Sequence, residues 1–337
     1  MTRKVFSRIV GTGSYLPERL VSNKDVASYF GLPVEDVFRV TGIKSRHWCY
    51  PDQTCSDLAE QAAREALKAA GQSIESVDAI FVSTTSPDTI FPSTACYLQQ
   101  KLQAKHVAAF DLAASCTGFI YGLSIADAFI RSGQYQCCLV VAAEVKSRYL
   151  DATQKASAML FGDGAGAAVV RREESVETAD PNMRHGILGV RLYSDGACHG
   201  LITVPAGGSK LPATADTVRN HLHAIKLEGS PVFRIGVKRL SVAIEDMLRE
   251  FAITVADLKQ VIAHQANGRM LRAIAKRAHL GPDQMFSMIE QAGNTSSASL
   301  PVALDVAFRQ KKFDSGDLIL LGAFGGGLTW GTALIRW

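Results

Sequence analysis

Cys116 stands in Asp-Leu-Ala-Ala-Ser-Cys-Thr-Gly-Phe, between an apolar run over 106–113 and a helical pattern over 117–132 that stops at Gly133. The two patterns predict a strand that turns sharply into a helix, with the cysteine at the helix's positive end. The dipole and the unpaired N–H groups there favour the thiolate, which is the reactive form. Far downstream come His264, in Ala-His-Gln-Ala-Asn, and Asn294, in Gly-Asn-Thr-Ser-Ser-Ala-Ser. Taken singly, a cysteine is more often a small buried hydrophobe, a histidine after a strand a structural residue, and Gly-Asn a turn. Together they form a constellation for covalent catalysis.

The other six cysteines, Cys49, Cys55, Cys96, Cys137, Cys138 and Cys198, show no C-x-x-C pair and no matching histidine spacing. A metal site is therefore not expected. The odd total argues against a disulfide framework and for a reducing compartment.

These residues must be positioned by a chain of 337 residues, 47% hydrophobic and 20% charged, an ordinary composition for a globular protein. No apolar run reaches the roughly 18 residues of a membrane helix, so no membrane insertion is expected. The first ten residues carry charge without a following signal core, which makes a cytoplasmic location the expectation. A net charge of +4 is too small to imply nucleic-acid binding.

Strand-like and helix-like segments alternate. Strands are predicted over 5–10, 78–85, 106–113, 137–144 and 165–171, then over 186–193, 261–264, 318–323 and 329–337. Helices are predicted over 56–70, closed by Gly71, and over 92–103, 117–132, 231–251, 269–279 and 297–310. A short helix opens at Ser22 with a capping-box variant. Alternation of this kind predicts α/β layers with mainly parallel sheets. Two halves of similar element order, 1–175 and 186–337, joined by the polar stretch 171–185, suggest a duplicated fold.

The glycine motifs mostly fail as cofactor sites. Gly162-Asp-Gly-Ala-Gly-Ala has alanine at the third glycine of a dinucleotide fingerprint and leads into a strand. Gly325-Gly326-Gly327, between two apolar strands, lets backbone approach something closely. Beside a thiolate, an oxyanion hole is the attractive reading, with a backbone N–H here pairing with that of Cys116.

Asp-Leu-Ala-Ala-Ser-Cys116-Thr-Gly-Phe, His264-Gln-Ala-Asn, Gly-Asn294-Thr-Ser-Ser-Ala-Ser and Phe-Gly-Gly-Gly-Leu-Thr-Trp-Gly closely resemble the β-ketoacyl-acyl-carrier-protein synthase III family, in the right order and over nearly the whole chain. The resemblance implies a thiolase-like duplicated fold, five-layered α-β-α-β-α, and a homodimer. It implies that Cys116 takes an acyl group from a thioester, and that His264 and Asn294 stabilise the enolate left when a malonyl group loses CO₂. The backbone N–H groups of Cys116 and Gly326 would form the oxyanion hole. Phe91, Leu201 and Phe324 would shape the acyl pocket, with Phe91 reaching across to the partner subunit. No cofactor is implied.

The implied partners are an acyl thioester, on coenzyme A or a carrier, and an acidic acyl carrier protein. For the latter, Arg269, Arg272, Lys276 and Arg277 share one face of the helix after His264, and Arg234 joins them. A solvated charged face is the ordinary alternative. In common family members a Trp and an Arg before Thr41-Gly42-Ile43 sandwich the coenzyme A adenine. Here Asp36 and Val40 hold those places, and Lys155 replaces a third nucleotide-contacting Arg, so a weaker grip on the nucleotide is expected. Other readings are acyl transfer to oxygen or nitrogen without decarboxylation, a papain-like hydrolase, which shares the order Cys, His, Asn, and a non-catalytic carrier-binding scaffold.

Overall fold

The computed structural model describes residues 3–176 and 185–337. In the first half, β1 (Arg3–Tyr15) is followed by α1 (Cys55–Ala70), β2 (Ala79–Ser83), β3 (Ala108–Leu112), α2 (Gly118–Arg131), β4 (Cys137–Val145) and β5 (Asp163–Val176). The second half runs β6 (Gly186–Ser194), α3 (Gly229–Glu250), β7 (Gln260–Ala263), α4 (Gly268–Arg277), β8 (Met285–Phe286), α5 (Ser299–Arg309), β9 (Leu318–Gly325) and β10 (Thr329–Arg336).

The first sheet has the order β1-β5-β4-β2-β3 and the second β6-β10-β9-β7-β8. In both, the first three strands of that order pair antiparallel and the remaining pairs are parallel. One strand order with one set of directions, occurring twice, is the structural signature of the duplication.

The layers follow from which faces are apolar. In β2, Ala79 and Phe81 face one core while Ile80 and Val82 face another, as the two-residue period of a strand buried on both sides requires. Helix α1 covers the outer face of the first sheet with Leu58, Ala62 and Ala66. Helices α3 and α4 cover the outer face of the second with Leu240, Ile244 and Met270. Between the sheets lie α2 and α5, whose Phe119, Leu123, Leu300 and Leu304 share one cluster with Val140 and Leu321 from opposite sheets. The result is the five-layered α-β-α-β-α arrangement.

The expected helix ends hold because their caps are local. Ser22 and Thr54 close capping boxes, and Gly31 and Gly71 take left-handed C-caps. The polar stretch 171–185 differs from expectation. Residues 171–176 continue β5 and pair with β1, and only 177–184 lie outside the described residues. The charges that suggested a linker sit two apart on a strand, where side chains share a face: Arg171 pairs with Glu173 and Arg172 with Glu174.

Candidate active site

The two central helices begin opposite each other. Before α2 the chain makes a tight turn over Ser115–Thr117, and before α5 it makes the same kind of turn over Ser296–Ala298. Ser115 (φ 49°) and Ser296 (φ 53°) both adopt left-handed backbone, unusual for a residue with a side chain. The turns are in contact, so the positive ends of α2 and α5 converge on one point. Cys116 lies at that point, buried, with its sulfur 3.5 Å from Ser296 Oγ.

Backbone crowds the nucleophile. A Cβ on Gly325 would lie 2.7 Å from the Cys116 nitrogen, and one on Gly118 would lie 1.8 Å from Ser83 Oγ. Only glycine lets the end of β9 and the start of α2 close this tightly. The close approach expected of the Gly-Gly-Gly segment is made at its first residue. The Gly326 N–H donates to Ser115 Oγ at 3.2 Å.

His264 leaves the end of β7 and is buried. Its Nδ1 hydrogen-bonds Ser299 Oγ, which also accepts the Gln265 N–H at 3.1 Å. Asn294 is buried as well. Its Oδ1 accepts the Ser296 N–H at 2.8 Å, which assigns the amide nitrogen, and Nδ2 donates to the Ala266 carbonyl at 3.2 Å. That nitrogen carries a second N–H. Burial pushes the Cys116 thiol up, but the His264 imidazole and the Ser296 hydroxyl more than offset it and bring it down to about 7. Burial raises Cys137 to about 11 and Cys138 to about 12, and it raises Cys49 and Cys55 further above the ordinary thiol range. Cys116 is therefore the thiol set apart by its surroundings.

Cys116, His264 and Asn294 line a single cavity of about 940 Å³ together with Phe324 and Gly326. Exposed Arg234, Arg269 and Lys155 line it too and mark its mouth. Arg272, Lys276 and Arg277 are exposed on α4 but do not line the cavity. Among the described residues, none of these five expected docking residues is ion-paired.

Two of the expected pocket residues lie off this cavity within the single chain. Leu201 does not line the cavity; it packs against the buried cluster that contains Val232, Phe324 and Trp330. Phe91 is 84% exposed and contributes nothing to the cavity of its own chain. At the expected adenine site, Val40 lines the cavity, but the Asp36 carboxylate is taken up by Arg39 at 2.5 Å and does not.

Sequence reasoning missed several neighbours. Ser296 and Ser299 lay inside a recognised motif but carried no spacing signal of their own. Glu144 and Lys146 close a buried apolar strand, and charge in such a place was the signal available. Glu144 is fully buried, and its carboxylate accepts from Ser86 Oγ at 2.5 Å, Ser296 Oγ at 3.0 Å and Ser297 Oγ at 2.9 Å. Burial alone would raise this carboxyl; the Lys146 ammonium and Ser86 hydroxyl hold it below the usual range.

Among the described residues no group of three or more His, Cys, Asp or Glu could hold a metal ion, and no helix is long and apolar enough to cross a membrane.

Comparison with known proteins gives one consistent result. The family profiles described as 3-oxoacyl-[acyl-carrier-protein (ACP)] synthase III and its C-terminal part match residues 110–196 and 248–337. The β-ketoacyl-[acyl-carrier-protein] synthase III of Caldanaerobacter subterraneus subsp. tengcongensis is 43% identical over all of this chain and 99% of its own length. Among solved structures, 3-oxoacyl-[acyl-carrier-protein] synthase III from Aquifex aeolicus superposes with a TM-score of 0.87 at 37% identity, covering 98% of this chain and 100% of that one. The priming β-ketosynthase of the R1128 polyketide pathway superposes at 0.88 with 33% identity, covering 99% and 96%.

Proposed function

The chain belongs to the 3-oxoacyl-[acyl-carrier-protein] synthase III family, and on that premise we propose that Cys116, His264 and Asn294 carry out a decarboxylative condensation of an acyl thioester with malonyl-carrier protein. The observation that carries the reading is the convergence, in one basic-mouthed cavity, of a thiol near 7 with a His and an Asn that line the same space.

In the first half-reaction the Cys116 sulfur attacks the thioester carbonyl. A new S–C bond forms, the old one breaks, and the proton shared by Cys116 and His264 goes to the departing thiolate. In the second, the malonyl C–C bond breaks, CO₂ leaves, and the electron pair passes to the enolate oxygen. With Ser299 Oγ accepting from the Gln265 N–H and donating to Nδ1, the neutral His264 ring carries its proton on Nε2. That N–H and the second N–H of Asn294 are neutral donors for the enolate oxygen, most effective where water is excluded. The enolate carbon then attacks acyl-Cys116. The tetrahedral oxyanion is held by the Cys116 and Gly326 N–H groups, the carbonyl oxygen displacing Ser115 Oγ from Gly326. The cysteine thiolate leaves, and the product is a 3-oxoacyl-carrier protein.

Arg234 and Arg269 at the mouth, with Arg272, Lys276 and Arg277 beyond it, form the docking face for the acidic carrier. The two halves 1–175 and 186–337 are the duplicated units. The protein works as a homodimer in the cytoplasm, where exposed Phe91 helps close the acyl pocket of the other subunit.

The test is sequential. Incubation with an acyl thioester should add one acyl mass to Cys116, and malonyl-carrier protein should then discharge it with release of one CO₂ and formation of 3-oxoacyl-carrier protein. Discharge to an alcohol or amine without CO₂ would establish acyl transfer to oxygen or nitrogen instead. Discharge to water alone would establish a hydrolase.

A further inference from the structure

One wall of the active-site cavity carries a charge that the condensation does not use. Lys146 opens the turn after β4, its side chain is 7% exposed, and it lines the same cavity as Cys116. Its ammonium sits 3.0 Å from Glu144 Oε2, donates to Thr85 Oγ1, and lies 5.7 Å from the centre of the Tyr149 ring. The other Glu144 oxygen holds Ser296 Oγ, which touches the Cys116 sulfur. The ammonium is thus three short contacts from the nucleophile.

A buried ion pair is no stability device in itself; well-packed apolar residues of similar volume generally serve as well or better. Most of the remaining wall here is apolar, with Ile202, Val232 and Phe324 among its residues. An ammonium has three N–H groups, and the described residues provide hydrogen-bond acceptors for two. The third is left for whatever occupies the cavity beside Cys116.

Building on the condensing-enzyme reading, we propose that Lys146 sets the acyl specificity of this site by donating a hydrogen bond to a neutral oxygen on the primer, a hydroxyl or carbonyl a few bonds from the thioester. The charge balance selects neutral oxygen over carboxylate. Glu144 already neutralises Lys146, so a carboxylate on the acyl group would leave an excess negative charge in an apolar pocket, which is costly. A plain alkyl group of the same length would instead leave a buried donor unsatisfied, which is also penalised.

The test is a competition for Cys116 among four-carbon acyl groups on one carrier: butyryl, 3-oxobutyryl, 3-hydroxybutyryl and succinyl, read by intact mass as relative acylation rates. The wild-type chain should favour the hydroxy- or oxoacyl group over butyryl by roughly tenfold or more, with succinyl poorest. Lys146→Met should reverse the order in favour of butyryl. Because that variant leaves Glu144 buried without its cation, the double variant Glu144→Gln with Lys146→Met is measured beside it, and the same reversal is expected. Preference for butyryl in the wild-type chain, an unchanged ratio in a folded double variant, or preference for succinyl would each overturn the inference. Failure of every thioester to acylate Cys116 would instead overturn the condensing-enzyme reading on which it rests.

Discussion

Replacing His264 by alanine separates two causes for the reactivity of Cys116. The helix N-terminus is present in the variant; the imidazole is not. In the wild-type chain the thiol lies at about 7, because His264 and Ser296 outweigh the burial that would raise it. At pH 7 about half of the sulfur is thiolate. Without the imidazole, a buried cysteine should return at least to the free value of about 8.5, where about 3% is thiolate at pH 7. The shift of about 1.5 units corresponds to roughly 2 kcal/mol of lost stabilisation of the anion. The rate at one pH understates this, since a more basic thiolate is the stronger nucleophile. With a Brønsted slope of about 0.4–0.5, the fifteenfold loss of thiolate shrinks to roughly threefold at pH 7, and the variant overtakes the wild-type chain at pH 10. The midpoint is therefore the quantity to read. Iodoacetamide alkylation of the Cys116 peptide across pH 5.5–10 should give a midpoint near 7 for the wild-type chain and at least 8.5 for His264→Ala, with crossing curves. Peptide mapping is needed because Cys96 is exposed and Cys198 half-buried. A variant midpoint still near 7 would refute the reasoning and return the effect to the helix dipole and backbone N–H groups.

Asn294→Ala should still acylate on Cys116 while its release of CO₂ from malonyl-carrier protein, followed with labelled carboxylate, drops on the order of a hundredfold; the opposite split would mean the roles are reversed. Arg269→Glu should raise the KM for carrier protein severalfold and flatten its salt dependence, yet leave small soluble thioesters nearly unaffected; equal losses with both would point to a folding defect. With Val40 on the cavity wall and Asp36 engaged by Arg39, neither residue can supply a stacking contact to adenine, each such contact being worth roughly 0.5–2 kcal/mol. The same acyl group on coenzyme A and on pantetheine should then prime at similar kcat/KM, and a strong preference for coenzyme A would show that the nucleotide is gripped by other residues.

The sequence by itself determined what is local. Apolar runs such as 137–144 announced strands buried on both faces, because a strand between two helix layers needs no polar side. The capping box at Ser22 and the glycine at 71 set helix ends, because a cap is made by residues within a few positions of each other. Motif identity marked Cys116, His264 and Asn294. Tertiary structure decided what those residues touch. Ser296 reaches the Cys116 sulfur across 180 positions and the Glu144 carboxylate across 152, and no periodicity carries a distance of that kind. It also placed the Gly326 N–H on Ser115, kept Leu201 off the cavity wall and turned Phe91 to the surface. The thiol itself shows the division most clearly. Its place at a helix start was legible from the pattern around it, while its low pKa comes from an imidazole and a hydroxyl that only the duplicated fold, by bringing the starts of α2 and α5 together, sets against the sulfur.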